Sequence, residues 1–231
     1  MKKVIFMVLS TFVLMANGLP TSIKSTVNSV DKRGQITISS NVPKGRSGIV
    51  IHSYGNGIFA ITHIATSLGG NRAKIGEYKA LKHKNIPTIQ TAPQKGDKVI
   101  FGNLYNNVLL IAPDEASYSS ITKSIKRVWI HPDMYAYYLI KNDETKMTLK
   151  NLKGFARENQ VGLVAIVAKD GIRVLDPLSS TYLRKLPLNI NITKAQSPFY
   201  ARFEQIETDI FSQADNKEFP VYYKGVEGIR W

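Results

Sequence analysis

An α+β fold, a small β-barrel or sandwich followed by a small α/β unit with a mixed sheet, is predicted by three features of the 231-residue chain. From Ile23 to Phe101 the apolar residues come in short runs divided by turn residues, with no helical stretch of useful length. After Tyr105, strand-like runs alternate with helical ones. The chain has no Cys and is 43% hydrophobic, so an ordinary apolar core and not disulfides must hold it together.

The first eighteen residues stand apart. Met1-Lys-Lys precedes an apolar run from Val4 to Ala16, interrupted by Ser10 and Thr11, and the small residues Ala16 and Gly18 follow two apart. That is the layout of a cleavable secretory signal, 1–18, with cleavage expected after Gly18 and Ala16 as the second choice. The run is shorter than the roughly 20 apolar residues of a spanning helix. A mature product in the periplasm or on the outer cell surface is expected, with no transmembrane segment after cleavage.

Residues 19–104 form the expected β-barrel-like domain. Gln35-Ile-Thr-Ile-Ser alternates with period two. Gly48-Ile-Val-Ile-His and Ile58-Phe-Ala-Ile-Thr-His-Ile-Ala are divided by the hairpin signal Gly55-Asn56-Gly57. Further strands are predicted over Ala73 to Tyr78, after Gly69-Gly70-Asn71, and over Asp97 to Phe101, entered by Lys95-Gly96. This stretch is strongly basic, with 12 Lys and Arg against Asp31, Glu77 and Asp97.

Residues 105–190 form the expected α/β domain. Val108-Leu-Leu-Ile-Ala reads as a buried strand, and Pro113-Asp114-Glu115 opens a helix toward Lys126 with its acids at the positive end. Val128-Trp-Ile is a second strand, and His131-Pro132-Asp133 starts a helix through Ile140. Thr148 caps a third, ending near Asn159. Val161 to Ala168 is the most apolar strand, Lys169-Asp170-Gly171 turns into Ile172-Arg-Val-Leu, and Thr181 to Leu186 adds an edge strand. Residues 191–231 form a C-terminal segment, in which Ser197-Pro198-Phe199-Tyr200 reads as a turn with exposed aromatics.

Chemistry-bearing residues are few. His52 and His63 could face each other across the hairpin, but two histidines without Cys or nearby acids make a poor metal site. Asp114, His131 and Asp133 follow the ends of two predicted strands, where α/β folds place ligands, yet the same residues are ordinary helix-start groups. No nucleophile elbow, phosphate loop, dinucleotide fingerprint or His-Glu-x-x-His is present. The expectation is a protein that is not an enzyme, with no catalytic residues, no cofactor and no metal.

A net charge of +14 favours anionic partners. With a secretory signal, nucleic acid is not the expected one; scattered lysines that only maintain solubility are the first reading, and peptidoglycan or another anionic envelope polymer as partner is the alternative. In Tyr135-Ala-Tyr137-Tyr138, helical spacing puts Tyr135 and Tyr138 on one face and Tyr137 on another, which makes Tyr137 a candidate contact.

Gly45-Arg-Ser-Gly-Ile-Val-Ile-His, Lys95-Gly-Asp-Lys-Val-Ile, Leu104-Tyr-Asn-Asn-Val-Leu-Leu-Ile-Ala-Pro-Asp-Glu-Ala-Ser-Tyr, Trp129-Ile-His-Pro-Asp-Met-Tyr-Ala-Tyr-Tyr-Leu and Ser197-Pro-Phe-Tyr-Ala-Arg occur in that order. Together they resemble the N-terminal domain of the plasminogen-binding surface proteins of spiral flagellated bacteria, over about residues 23 to 203. The resemblance implies a non-enzymatic binding or assembly protein whose partner is a protein, plasminogen or the disc proteins of the flagellar motor needed for motility. It also implies lysine-mediated recognition. The chain ends in Trp231, so Lys217 beside Glu218 and Lys224 before Glu227 are the candidates in the tail, with Lys74 and Lys79 in the basic half.

Overall fold

A computed structural model describes residues 18–78, 91–144, 146–188, 195–196 and 198–202. Six strands close into a barrel: β1 (Ile23–Val30), β2 (Gln35–Ile38), β3 (Ser47–Gly55), β4 (Ile58–Gly69), β5 (Arg72–Glu77) and β6 (Lys98–Phe101), in the order β1-β2-β5-β4-β3-β6. All neighbours are antiparallel. Closure decides between barrel and sandwich, and it removes the sheet edges that would otherwise recruit other chains. The alternating apolar residues fill the interior, with Val27, Ile36, Ile38, Val50, Val99 and Phe101 all buried.

Two features of the barrel escape the sequence pattern. β1 has only three apolar residues in eight, and one of its inward positions is Ser25, whose hydroxyl accepts from the Ser40 amide at 3.0 Å. β4 runs to Gly69, four residues past the expected end. Its extension pairs with β5 through Thr66, Ser67 and Gly69, so ladder bonds there carry residues that apolar alternation does not mark.

The second unit comprises β7 (Asn107–Ile111), α1 (Glu115–Ser124), β8 (Val128–Ile130), α2 (Pro132–Lys141), α3 (Leu149–Glu158), β9 (Leu163–Ala168), β10 (Gly171–Asp176) and β11 (Thr181–Leu186). The sheet order is β11-β10-β9-β7-β8, with β7 parallel to β8 and β9 and the rest antiparallel, which is the mixed sheet expected. β7 and β9 are buried on both faces, and each strand alternates between two cores. Leu109, Ile111, Val164 and Ile166 meet α2 and α3 around Tyr135 and Phe155. Val108, Leu110, Leu163 and Val167 face the opposite side, with Ile121 of α1 and Leu19.

Helix ends follow local chemistry. Asp114 caps α1 by accepting from the Ser117 amide at 2.7 Å. Thr148 caps α3 in a reciprocal box with Asn151, whose side chain accepts from the Thr148 amide at 2.8 Å. α1 stops at Ser124 and not at Lys126, because Ile125 is already extended and its carbonyl accepts the Trp129 indole N–H at 2.9 Å.

Phe199 and Tyr200 are not exposed, which corrects the expectation of an aromatic surface turn. They are 1% and 6% accessible, and Phe199 stacks on Tyr135 at 5.6 Å between centroids. The segment reaches the core because the Tyr200 amide donates to the Ala112 carbonyl and the Gln196 amide to the Pro113 carbonyl, just past β7. No helix among the described residues is long and apolar enough to cross a membrane.

Candidate functional site

The carboxyl ends of the parallel strands β7 and β8 are where an α/β sheet offers a ligand crevice. Asp114 and His131 leave from those two ends and each caps the helix that follows. Asp133 lies in the first turn of α2, and its two oxygens accept from the Arg202 amide and from Arg202 Nε, both at 2.8 Å. The rings of Tyr118, His131 and Tyr200 are in mutual contact, with centroids 4.9 Å, 5.6 Å and 5.9 Å apart. The crevice is thus filled by the chain's own 195–202 stretch.

Electrostatics there follow from burial and from Arg202. Burial pulls the His131 imidazole below its ordinary value, against the pull of Asp133, so the neutral ring accepts the Asp133 amide at Nδ1. Burial pushes the Asp133 carboxyl up, but the Arg202 hydrogen bonds, with His131 and the Arg202 charge, outweigh it and hold the group below its ordinary value. Burial raises the Tyr118 and Tyr200 phenols. Asp114, His131 and Asp133 are thus each engaged by the chain's own groups.

The histidine pair of the barrel does not assemble. His52 pairs across the hairpin with Ala60 and His63 with Val50, because the turn at Gly55-Asn56-Gly57 sets a register that a His52–His63 pairing does not fit, and His52 Nδ1 lies 2.6 Å from Asp97 Oδ1 instead. Burial lowers the His63 pKa, and its Nδ1 has no hydrogen-bond partner. Among the described residues no group of three His, Asp or Glu is placed to hold a metal ion.

Among the candidate contacts, Tyr137 is 61% exposed beside Met134 at 48%, while Tyr135 is fully buried and its stacking neighbour Tyr138 partly so. Lys74 is exposed on β5. Lys79, Lys217 and Lys224 lie outside the described residues, as do residues 1–17.

Sequence reasoning missed Asp176. Fully buried at the end of β10, it accepts from Ser47 N and Tyr105 Oη at Oδ2, each at 2.7 Å, and from Leu178 N and Ser179 N at Oδ1. It ties β3 of the barrel to the mixed sheet. Burial, then the nearby Asp176 charge, drives the Tyr105 phenol far above its ordinary value, so it stays a donor. Arg46, 5.8 Å over the Tyr105 ring, also donates to the Thr21 carbonyl. The only signal was a lone acid ending an apolar strand.

A family model described as the N-terminal part of the plasminogen-binding protein pgbA matches residues 22–226. The chain belongs to this family. Two curated relatives, the plasminogen-binding proteins PgbA of Helicobacter pylori strains ATCC 700392 / 26695 and J99 / ATCC 700824, are each 28% identical over 166 residues. Those alignments cover 69% of this chain and 36% of the relatives. The chain therefore spans about a third of the length of the PgbA proteins it matches. No solved structure matches significantly. In this PgbA N-terminal family member, the matched region takes in every strand of both sheets.

Proposed function

We propose that the chain is an exported, non-enzymatic binding protein that recognises a protein partner, plasminogen first among them, through exposed lysines. The observation that carries this reading is the family match over residues 22–226, whose description names plasminogen binding. The filled crevice at the ends of β7 and β8 supports binding over catalysis, since Asp133 is spent on Arg202 and Asp114 and His131 on capping their helices.

Surface plasmon resonance of the full chain on immobilised plasminogen tests the reading. Binding is expected to be blocked by a lysine analogue, reduced when Lys217 and Lys224 or Lys74 and Lys79 are replaced by Ala, and unchanged when Arg230 and Trp231 are deleted. Absent binding, or binding indifferent to the analogue, overturns it.

Export rests on the basic and apolar start of the chain. Arg184 donates to the Gly18 carbonyl at 2.7 Å and Arg127 to the Leu19 carbonyl at 3.1 Å. Cleavage after Ala16 keeps both bonds, and cleavage after Gly18 removes the first. Terminal sequencing of the exported protein is expected to read Asn17 or Leu19, and retention of Met1 overturns export.

A further inference from the structure

The β3–β4 hairpin outgrows the barrel. β3 pairs with β6 only as far as Ile51, and β4 pairs with β5 only from His63 onward, so from His52 to Ala60 the two strands pair with each other and with no other described strand. At about 3.3 Å per residue, the tip at Gly55-Asn56-Gly57 stands roughly 13 Å beyond Ile51. This projection carries the most exposed large apolar side chains of the barrel: Ile58 at 62%, Phe59 at 54% and Tyr54 at 47%. A two-stranded ribbon by itself is marginal in water; this one is tied to the 91–97 segment through Tyr54–Thr91 and His52–Asp97, yet Ile58 and Phe59 at its tip gain nothing in water.

The charge around the tip indicates what covers it. β1 and β3 run in the same direction, because both are antiparallel to β6, so the β1–β2 turn with exposed Lys32 and Arg33 lies at the hairpin end. Exposed Lys95 precedes β6 at that end, and Lys98 Nζ sits 5.2 Å over the Phe59 ring. The acids nearby are Asp31, which accepts from the Arg33 and Gln35 amides of its own turn, Asp97, buried against His52, and Glu77.

We infer that the β3–β4 hairpin is a membrane-docking wedge that places Ile58 and Phe59 at the headgroup–acyl boundary of an anionic bilayer. Such a surface is the partner that is apolar beneath and negative on top. A projecting apolar tip beside the exposed cations Lys32, Arg33, Lys95 and Lys98 suits it better than it suits a protein partner. Lys98 lies along the Phe59 ring, so its ammonium reaches the phosphates as the ring enters the apolar layer. Tyr54 Oη bonds Thr91 Oγ1 and its ring meets the edge of His52, which steadies this exposed ring beside the tip.

The chain has no Cys, so a single introduced thiol reports on one place. The full chain with Ser53→Cys, exposed on the hairpin, or Ser120→Cys, exposed on α1, is labelled with an environment-sensitive fluorophore. It is then mixed with phosphatidylcholine vesicles with and without phosphatidylglycerol. Blue-shifted emission, quenched by brominated acyl chains, is expected at position 53 with phosphatidylglycerol only, and not at position 120. Ile58→Ser with Phe59→Ser, both at solvent-exposed sites, is expected to weaken this partitioning about tenfold or more with an unchanged circular dichroism spectrum. No shift at position 53, an equal shift at both positions, or a shift indifferent to phosphatidylglycerol overturns the wedge. So does a double variant that keeps vesicle binding but loses plasminogen binding, since that assigns the hairpin to a protein.

Discussion

The Ser47 amide of the barrel donates to Asp176 Oδ2 of the mixed sheet across 2.7 Å, at a carboxyl group with no accessible surface. Three further donors, Tyr105 Oη and the Leu178 and Ser179 amides, share the same group. One acceptor thus links the two units, beside the Ser179 hydroxyl that donates to the Gly45 carbonyl. Asp176→Ala leaves buried donors without partners and is expected to cost at least about 3 kcal/mol, against about 1.5–3 kcal/mol for Tyr105→Phe. Urea unfolding of the two variants measures both.

Close backbone approaches make a second test. A Cβ on Gly162 would meet the Leu104 carbonyl oxygen at 2.1 Å, and one on Gly48 the Ile100 carbonyl oxygen at 2.5 Å. Backbone cannot give way as a side chain can, so each Gly→Ala change is expected to destabilise by at least about 2 kcal/mol. At Gly76 the nearest atom is Ile64 Cγ1 at 3.3 Å, a side chain with room to adjust. Gly76→Ala is expected to stay within about 1 kcal/mol, read from thermal melts.

Stability should fall on mild acidification. His63 and His131 have folded pKa values below the ordinary 6.5, both chiefly through burial. The unfolded chain then binds more protons than the folded one, so unfolding free energy declines as pH drops below about 6.5 toward the folded values. Asp133 acts lower: its contribution is present above the ordinary 3.8 and is lost as pH falls through its depressed folded value. Urea midpoints from about pH 8 to about pH 5 should fall, and His131→Gln should flatten the slope. Arg202→Ala should raise the Asp133 pKa in an NMR titration.

The α3 cap gives a graded pair. Thr148→Ala removes one acceptor for the Asn151 amide and is expected to cost about 1 kcal/mol. Asn151→Ala should cost more, because its buried amide group also accepts from Tyr135 Oη and from the Thr148 amide. Melting temperatures of the two variants provide the order.

The basic barrel should govern any attachment to anionic envelope polymers. Replacing exposed Lys24, Lys44 and Lys74 by Glu is expected to weaken retention on peptidoglycan sacculi more than the same change at exposed Lys123, Lys126 and Lys150. Salt at about 0.5 M should abolish the difference, since charges are screened over about 10 Å already at 0.1 M. Equal losses in a sedimentation assay would assign the lysines to solubility.

Much of the fold was legible because local chemistry wrote it. The Gly55-Asn56-Gly57 turn, the caps Asp114, His131 and Thr148, and the unbroken apolar run of β9 each match their element. β1 was not, since a strand half covered by hydrogen-bonded serines shows no apolar alternation. The candidate site was legible only in part. Tyr137 on the outside and Tyr135 inside follow from helical spacing, whereas the burial of Phe199 and Tyr200 depends on contacts with residues far away in the chain.

By itself, the sequence determined the strand and helix series, the excess of positive charge in the first half and the family resemblance, because turn residues, caps and apolar periodicity act over a few neighbours. Only the tertiary structure decided that the barrel closes, that Asp176 joins it to the sheet, that Arg202 fills the crevice beside Asp133, and that Ile58 and Phe59 stand clear of it. Those outcomes depend on which distant groups satisfy one another's hydrogen bonds and exclude water, and no local pattern encodes that pairing.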